Sequence, residues 1–400
     1  MSLGLYLSVP FCRSKCSYCN FASAVFSPAV YHEYAALLAR ELALAAAHDG
    51  LAGATLDSLY WGGGTPTLLA PGDFALVAAA IREHFQLAPD LEHTVEVAPG
   101  TLTPAALDAL VAAGVNRLSF GVQSFHDAEA RAVGRLHARS TVLADLERAR
   151  AAGLANLNLD LIAGLPHQTP ASWRQSLELA CATGVPHVSI YMLEVDHDSR
   201  LGHELLAGGA RYHAHTVPDD DLVADAYELA CDLLPAAGVP QYEISNFARP
   251  GFASRHNLRY WARAPYLGVG LDAHSFLASP QPRRFANPDA LAAYLEPLRA
   301  HRLPRLAPAR LPPAAELEEH YFLGLRRNAG VALLEPLPPA LVPRLDRLVA
   351  DGLLRRAGGR IALTPRGRLL ANQVCAEFLG AFDATHDTLV ACEDVSAPRA

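Results

Sequence analysis

The chain has 400 residues and is 51% hydrophobic, enough to bury the cores of two or three domains. Its formal net charge of −8 argues against a general nucleic-acid binder, which carries a basic footprint. The helix-like run from Tyr31 to His48 is interrupted by Glu33, Arg40 and Glu41, and no other run reaches the roughly 18 uncharged apolar residues of a membrane span. Met1–Val9 lacks the basic start of a signal peptide, so a cytoplasmic protein is expected.

In chain order, short apolar runs predict strands at Leu3–Val9, Leu56–Trp61, Thr94–Val97, Arg117–Val122, Asn156–Ile162 and His187–Leu193. Helical patterns lie between them at Ala29–His48, Pro71–Phe85, Pro104–Ala113, Ser140–Ala152 and Pro170–Thr183. Pro71, Pro104 and Pro170 stand near helix starts; Gly114, Gly153 and Gly184 follow helix ends. Six strands alternating with helices predict an α/β fold with a parallel sheet, an incomplete barrel or a doubly wound sheet. Leu201–Asp219 reads as a Gly/His-rich connection, Asp220–Leu234 as another helix, and the Pro- and Arg-dense Ser279–Pro313 as a linker or surface-hugging segment. Glu316–Gly380 reads as a separate unit whose "LDRLVADGLLRRAGGRIALTPRGRLLANQV" gives a helix, a hairpin and a helix, resembling a winged helix. Packing or DNA binding could use such a unit, and the acidic chain speaks against DNA. The expected divisions are a barrel over 1–236, a barrel extension and connecting segment over 237–313, the winged-helix-like α+β unit over 314–381, and a disordered tail over 382–400.

Seven cysteines, an odd number, do not make a disulfide framework. Cys181, Cys231, Cys375 and Cys392 are scattered and read as small hydrophobes. Cys12, Cys16 and Cys19 instead crowd into "VPFCRSKCSYCNF", directly after the first strand. Three thiolates from one loop can hold three irons of a [4Fe–4S] cubane and leave the fourth open. An open iron can chelate S-adenosylmethionine (SAM), whose reductive cleavage yields a 5′-deoxyadenosyl radical. A structural zinc is the competing reading, although zinc sites more often add a second Cys or His pair far along the chain. In α/β barrels, functional groups gather at the C-terminal strand ends. Here those ends carry the cysteines, Gly62-Gly63-Gly64-Thr65-Pro66, Glu96, Gln123, Asp160, and Tyr191 with Glu194. Each alone could be a turn or a satisfied structural carboxylate; their joint placement on one rim points to a ligand site.

The motifs "VPFCRSKCSYCNF", "YWGGGTPTLL", "VEVAPGTL", "LSFGVQSF", "LNLDLIAGLPHQT", "YEISNFARPG", "SRHNLRYW" and "YLGVGLDAHSF" run across nearly the whole chain. Together they resemble radical SAM proteins of the oxygen-independent coproporphyrinogen III oxidase family, most of all its HemW branch of haem chaperones. The resemblance implies a radical SAM partial (β/α)6 barrel, with Cys12, Cys16 and Cys19 as cluster ligands and Tyr6 and Tyr18 flanking the cluster and contacting SAM. It implies Gly63, Gly64 and Thr65 at the SAM amino end, and Glu96, Gln123, Arg135 and Asp160 as contacts to one or two SAM molecules. It points to His256 of "SRHNLRYW" as a haem contact, with His274 as rival. The neighbouring arginines Arg255 and Arg259 suit haem propionates. The oxidases carry a cysteine where Phe21 stands and a long extension before the cysteines, so the chaperone branch fits better. Ser8, Ala98 and "GVGLDAHSF" depart from the usual His, Asn and Gly-Pro-Gly of the family. The implied function is binding of haem, a [4Fe–4S] cluster and SAM and delivery of haem to haem-accepting proteins, membrane-associated respiratory enzymes among them. A homodimer is compatible with this, and no nucleic acid is expected. Coproporphyrinogen decarboxylation and another radical SAM reaction, such as methyl transfer, remain the alternatives.

Overall fold

The structure, a computed structural model, describes residues 2–382; Cys392 and the expected tail from 383 on lie outside the described residues. The first half alternates as read: β1 (Leu3–Ser8), α1 (Ala29–His48), β2 (Thr55–Gly62), α2 (Pro71–His84), β3 (Gln86–Val97), α3 (Pro104–Ala112) and β4 (Arg117–Gln123). Then come α4 (Asp127–Ala132), α5 (Arg139–Ala151), β5 (Asn156–Ala163), α6 (Pro170–Ala182) and β6 (His187–Met192). Proline occupies the first position of α2, α3 and α6, where no backbone N–H is missed. Thr169 and Ser172 close a capping box at the start of α6.

Strands β1 to β6 are parallel and lie side by side in sequence order. A doubly wound sheet reverses its order at a switch point. Unbroken order puts successive right-handed crossovers on one face and curls the sheet, which selects the partial barrel. Leu5, Leu7, Trp61, Val95, Leu118, Leu159 and Ile190 are buried in its core. The Trp61 indole donates to His93 Nε2 at 2.9 Å. Burial and the Arg82 charge hold His93 down at about 3, so this imidazole is a neutral acceptor.

After β6 come α7 (Arg200–Leu206), α8 (Asp220–Ala236), β7 (Asn246–Ala248), α9 (Arg255–Trp261), β8 (Tyr266–Gly270), β9 (His274–Leu277), β10 (Arg283–Ala286), α10 (Leu291–Arg299) and β11 (Ala309–Arg310). This stretch extends the barrel sheet at both ends. Strand β7 pairs antiparallel with β6, and β8 runs parallel to β1, with β9 to β11 beyond it, for eleven strands in one sheet. The expected linker over Ser279–Pro313 is therefore built of two strands and α10. Its prolines masked this: Pro297 lies inside α10, whose Tyr294 and Leu298 are nevertheless fully buried.

The remainder comprises α11 (Pro313–Gly324), β12 (Val331–Ala332), α12 (Leu341–Ala350), β13 (Leu354–Ala357), β14 (Arg360–Leu363), α13 (Pro365–Leu369) and α14 (Ala371–Ala376). Its three strands form a separate sheet in the order β12-β14-β13, and helix, hairpin and helix follow in the order read from the sequence. A second apolar core gathers Tyr321, Leu325, Leu345, Ile361 and Phe378, together with Ile244 from the barrel side.

Candidate functional site

The cysteine loop leaves β1 at the C-terminal rim and is tied to its neighbours by backbone. Cys12 N–H donates to Ala24 at 3.0 Å, Thr65 N–H to Phe11 at 2.7 Å, and Ser17 N–H to Val133 at 3.1 Å. Gly64 is needed for this approach, since a Cβ there would stand 2.6 Å from the Val9 carbonyl oxygen. Gly63 takes φ +87°, and a Cβ on it would strike the Ser8 hydroxyl. The three thiols line a cavity of about 990 Å³ and none is in a disulfide.

Sequence-predicted residues Tyr18, Gly63, Gly64, Thr65, Glu96, Gln123, Arg135 and Asp160 line the same cavity. Arg135 Nη1 lies 3.6 Å from the Cys16 sulfur, and Nη2 donates to the Gly121 carbonyl. Its Nε is buried without an acceptor. Burial pulls its pKa down, but the facing Tyr18 and Cys16 outweigh that and hold the guanidinium charged. Burial pushes the Cys12 thiol up, opposed by hydrogen bonds from Ser23 and Thr65. A bound cation or metal would reverse that bias toward thiolate.

Glu96 accepts from the Tyr60 hydroxyl at 2.9 Å. Burial, reinforced by Asp160, pushes its carboxyl up to about 7. Asp160 accepts from Asn158 at 2.7 Å and Ser119 at 3.1 Å, and burial raises it also. Two carboxylates short of counter-charge suit a cationic ligand with hydroxyls. Gln123 ends β4 at φ 68°, in the left-handed region.

Two predicted residues are elsewhere. Tyr6 sits behind the cavity wall, its ring 6.1 Å from Tyr60 and 6.3 Å from His256. His256 is fully buried. Its Nδ1 is 3.1 Å from the Ser58 hydroxyl and its Nε2 2.8 Å from the Tyr260 hydroxyl. Burial and the charges of Arg259 and Arg117 hold it down at about 3. In this conformation the imidazole is neutral and both of its nitrogens are engaged. Its arginines are engaged too: Arg259 is ion-paired with Asp57, and Arg255 donates to Asp90 Oδ2 at 3.0 Å. Buried Glu92 fixes the start of α9, accepting from the N–H groups of Arg255 and His256 at 2.9 and 3.0 Å. His274 is on the surface, 71% exposed.

Sequence reasoning missed Tyr60, although "YWGGGTP" carried it into the cavity wall beside the glycines. It also missed the opposite wall, built by Ile244 and Ser245 with Arg326 and Arg368 to Gln373. No local pattern could reveal a wall assembled from segments this far apart in the chain.

The donor set fits an iron–sulfur cluster. Three disulfide-free thiols and a charged guanidinium with one unspent donor face one cavity. A cubane would take one thiolate at each of three irons. No helix among the described residues is long and apolar enough to cross a membrane.

Residues 6–180 match the model of the Radical SAM superfamily. The chain is 36% identical to the heme chaperone HemW of Mycobacterium tuberculosis, over 94% of this chain and 95% of that one. It is 34% identical to the heme chaperone HemW of Bacillus subtilis, over 94% and 98%. Among solved structures, the radical SAM enzyme coproporphyrinogen III oxidase (HemN) from Escherichia coli superposes with a TM-score of 0.82 at 26% identity, over 94% of this chain and 90% of that one.

Proposed function

The chain belongs to the HemW family within the radical SAM superfamily, and from that premise we propose that it is a haem chaperone, binding haem and passing it to haem-accepting proteins. Membership implies a [4Fe–4S] cluster and SAM as cofactors. The observation that carries the reading is the likeness to haem chaperones over almost the whole chain, C-terminal unit included. Cys12, Cys16 and Cys19 would hold the cluster. When bound, a reduced cluster supplies the electron that can cleave SAM.

The protein's own residues would do the rest. Gly63, Gly64 and Thr65 bring backbone against SAM, Arg135 offers its unspent donor to a carboxylate or to the thiolates, and Glu96 with Asp160 faces the ribose or the sulfonium. Tyr60 orients Glu96. Ile244 and the α13–α14 wall screen the cavity from solvent. Respiratory enzymes at the membrane as acceptors, a homodimer and a cytoplasmic location are parts of the same proposal.

Coproporphyrinogen oxidation is the second reading, favoured by the HemN likeness. Against it, Phe21, 65% exposed at the cavity rim, stands where the oxidases were expected to carry a cysteine. One anaerobic reconstitution tests both. A Soret band surviving gel filtration, haem transfer to an apo-acceptor and no protoporphyrinogen are expected. Robust conversion of coproporphyrinogen would overturn the chaperone reading.

A further inference from the structure

Haem carries two propionates, and a site that holds it needs cations for them. The α9 arginines are spent on Asp57 and Asp90. On the barrel side of the cavity, Arg13 donates to the Gly100 carbonyl at 3.2 Å, Lys15 to the Phe21 carbonyl, and Arg135 to the Gly121 carbonyl. Arg326 and Arg368 differ from these: among the described residues their guanidiniums make no hydrogen bond or ion pair, whereas Arg135, whose Nε is likewise unpaired, is held at the cysteine loop through both Nη groups. Both line the cavity from the opposite wall, and the Nε of each is shut off from water without an acceptor. Neither enters an ion pair among the described residues.

Arg326 is held in place from two directions. Its carbonyl accepts from Ile244 N–H at 3.1 Å. Its guanidinium lies 4.4 Å over the ring of Trp261, the last residue of α9, whose indole N–H is also buried and unpartnered. The carboxylate whose field it feels is Glu243, which is bonded to Asn246 instead. Arg368 sits on α13, and the groups whose charge it favours are the Tyr227 phenol and the Cys231 thiol, both kept protonated by burial. The Nη groups of Arg326 and Arg368 make no hydrogen bond among the described residues and are the donors that a carboxylate in the cavity can take.

We propose that Arg326 and Arg368 form a carboxylate-binding subsite that takes the propionates of a porphyrin held in the cavity. The proposal rests on the haem reading above and names how that ligand is oriented. Glu96 and Asp160 on the barrel side repel propionates, so the charged edge of the macrocycle faces the C-terminal wall. Ile244, Leu369 and Leu370 on that wall offer apolar surface beside the guanidiniums.

The test uses anaerobically reconstituted full-length protein, as wild type and as Arg326→Gln, Arg368→Gln and the double variant. Haem and haem dimethyl ester, whose propionates are neutral, are titrated by the Soret band, and SAM affinity is measured on the same samples. Each single variant should bind haem about tenfold more weakly, the double variant weaker still. Affinity for the ester and for SAM should not change. Equal losses for haem and ester would make the arginines packing residues and overturn the proposal, as would unchanged haem affinity. Lost SAM affinity with haem binding intact would assign them to the SAM carboxylate and overturn the porphyrin assignment. Should Arg326→Gln fail to fold because buried Glu243 loses its nearby positive charge, Arg368→Gln alone still decides. If wild type binds no haem, the haem reading fails and takes the subsite with it; if wild type and variants bind haem equally, only the subsite falls.

Discussion

At the scale of single residues, the site turns on groups whose charge is set by burial. Replacing any one of Cys12, Cys16 or Cys19 by Ala should leave less than a full complement of four irons per chain after reconstitution, measured by iron analysis. Cys181→Ala, Cys231→Ala and Cys375→Ala should leave it intact. Glu96 gives a pH prediction. Its carboxyl is raised to about 7 by burial and by Asp160, so it is ionised above that value and protonated below. SAM affinity should therefore fall as pH drops from about 8 to about 6, by up to roughly tenfold for a loss on the order of one charge-assisted bond. Calorimetry on Glu96→Gln should show a flatter profile; a wild-type profile that is already flat would rule this role out. The cysteines were legible because a cluster loop is local in sequence. The state of His256 was not, because the Ser58 and Tyr60 that enclose it come from a strand about 200 residues earlier.

At the scale of elements, α1 carries a buried carboxylate that knits the sheet extension to the rim. Glu41 accepts from Gly270 N–H at 2.8 Å, Asn287 at 2.6 Å and the Tyr294 hydroxyl at 2.6 Å. Two turns earlier, Tyr34 donates to the Ser8 carbonyl at 2.7 Å and accepts from Leu271 N–H. Burial lifts Glu41 to about 7 despite these donors. A carboxylate raised in the folded state binds its proton more tightly than in the unfolded chain. Its contribution is thus fully present below the unfolded value, near 4.5, and is lost as pH rises through about 7. Chemical denaturation should show stability declining across that window by on the order of 3 kcal/mol from this group, and Glu41→Gln should remove the slope at some cost in stability. The apolar runs of β1 to β6 announced themselves. The polar first half of β3, with Gln86, Pro89 and Asp90, did not, since an edge exposed to water needs no apolar alternation. Strand β10 and α10 were hidden by proline and arginine whose packing partners lie on α1, as Arg40 shows by donating to the Leu298 carbonyl at 3.0 Å.

At the scale of the whole molecule, the cavity has two walls from two folding units, joined at a narrow seam. Ile244 belongs to the core of the C-terminal unit, Glu243 before it bridges to Arg327 of that unit, and Ser245 after it accepts from Ile190 N–H of the barrel sheet at 2.7 Å. Ile244→Pro removes the N–H that donates to Arg326 at 3.1 Å and should loosen the seam. A chelator should then strip iron from the reconstituted protein several-fold faster while circular dichroism stays close to wild type; an unchanged rate would mean that the C-terminal wall does not shield the site. The barrel could be read from strand alternation, but its closure by a remote unit could not, because the residues that meet across the cavity share no periodicity.

The register of β1 has a consequence in time. It leaves the ribosome before the other strands of its sheet, yet it lies inside that sheet between β2 and β8, with Ser8 opposite Gly62 on one side and Gly270 on the other. Synthesis of the intervening stretch of about 260 residues takes roughly 13 to 50 seconds at ordinary elongation rates. Through that interval the nascent thiols of Cys12, Cys16 and Cys19 hang on a half-built sheet without the far side of their scaffold. Metallation therefore belongs after translation, and nascent chains arrested before Tyr266 should be alkylated at these thiols far faster than the released protein.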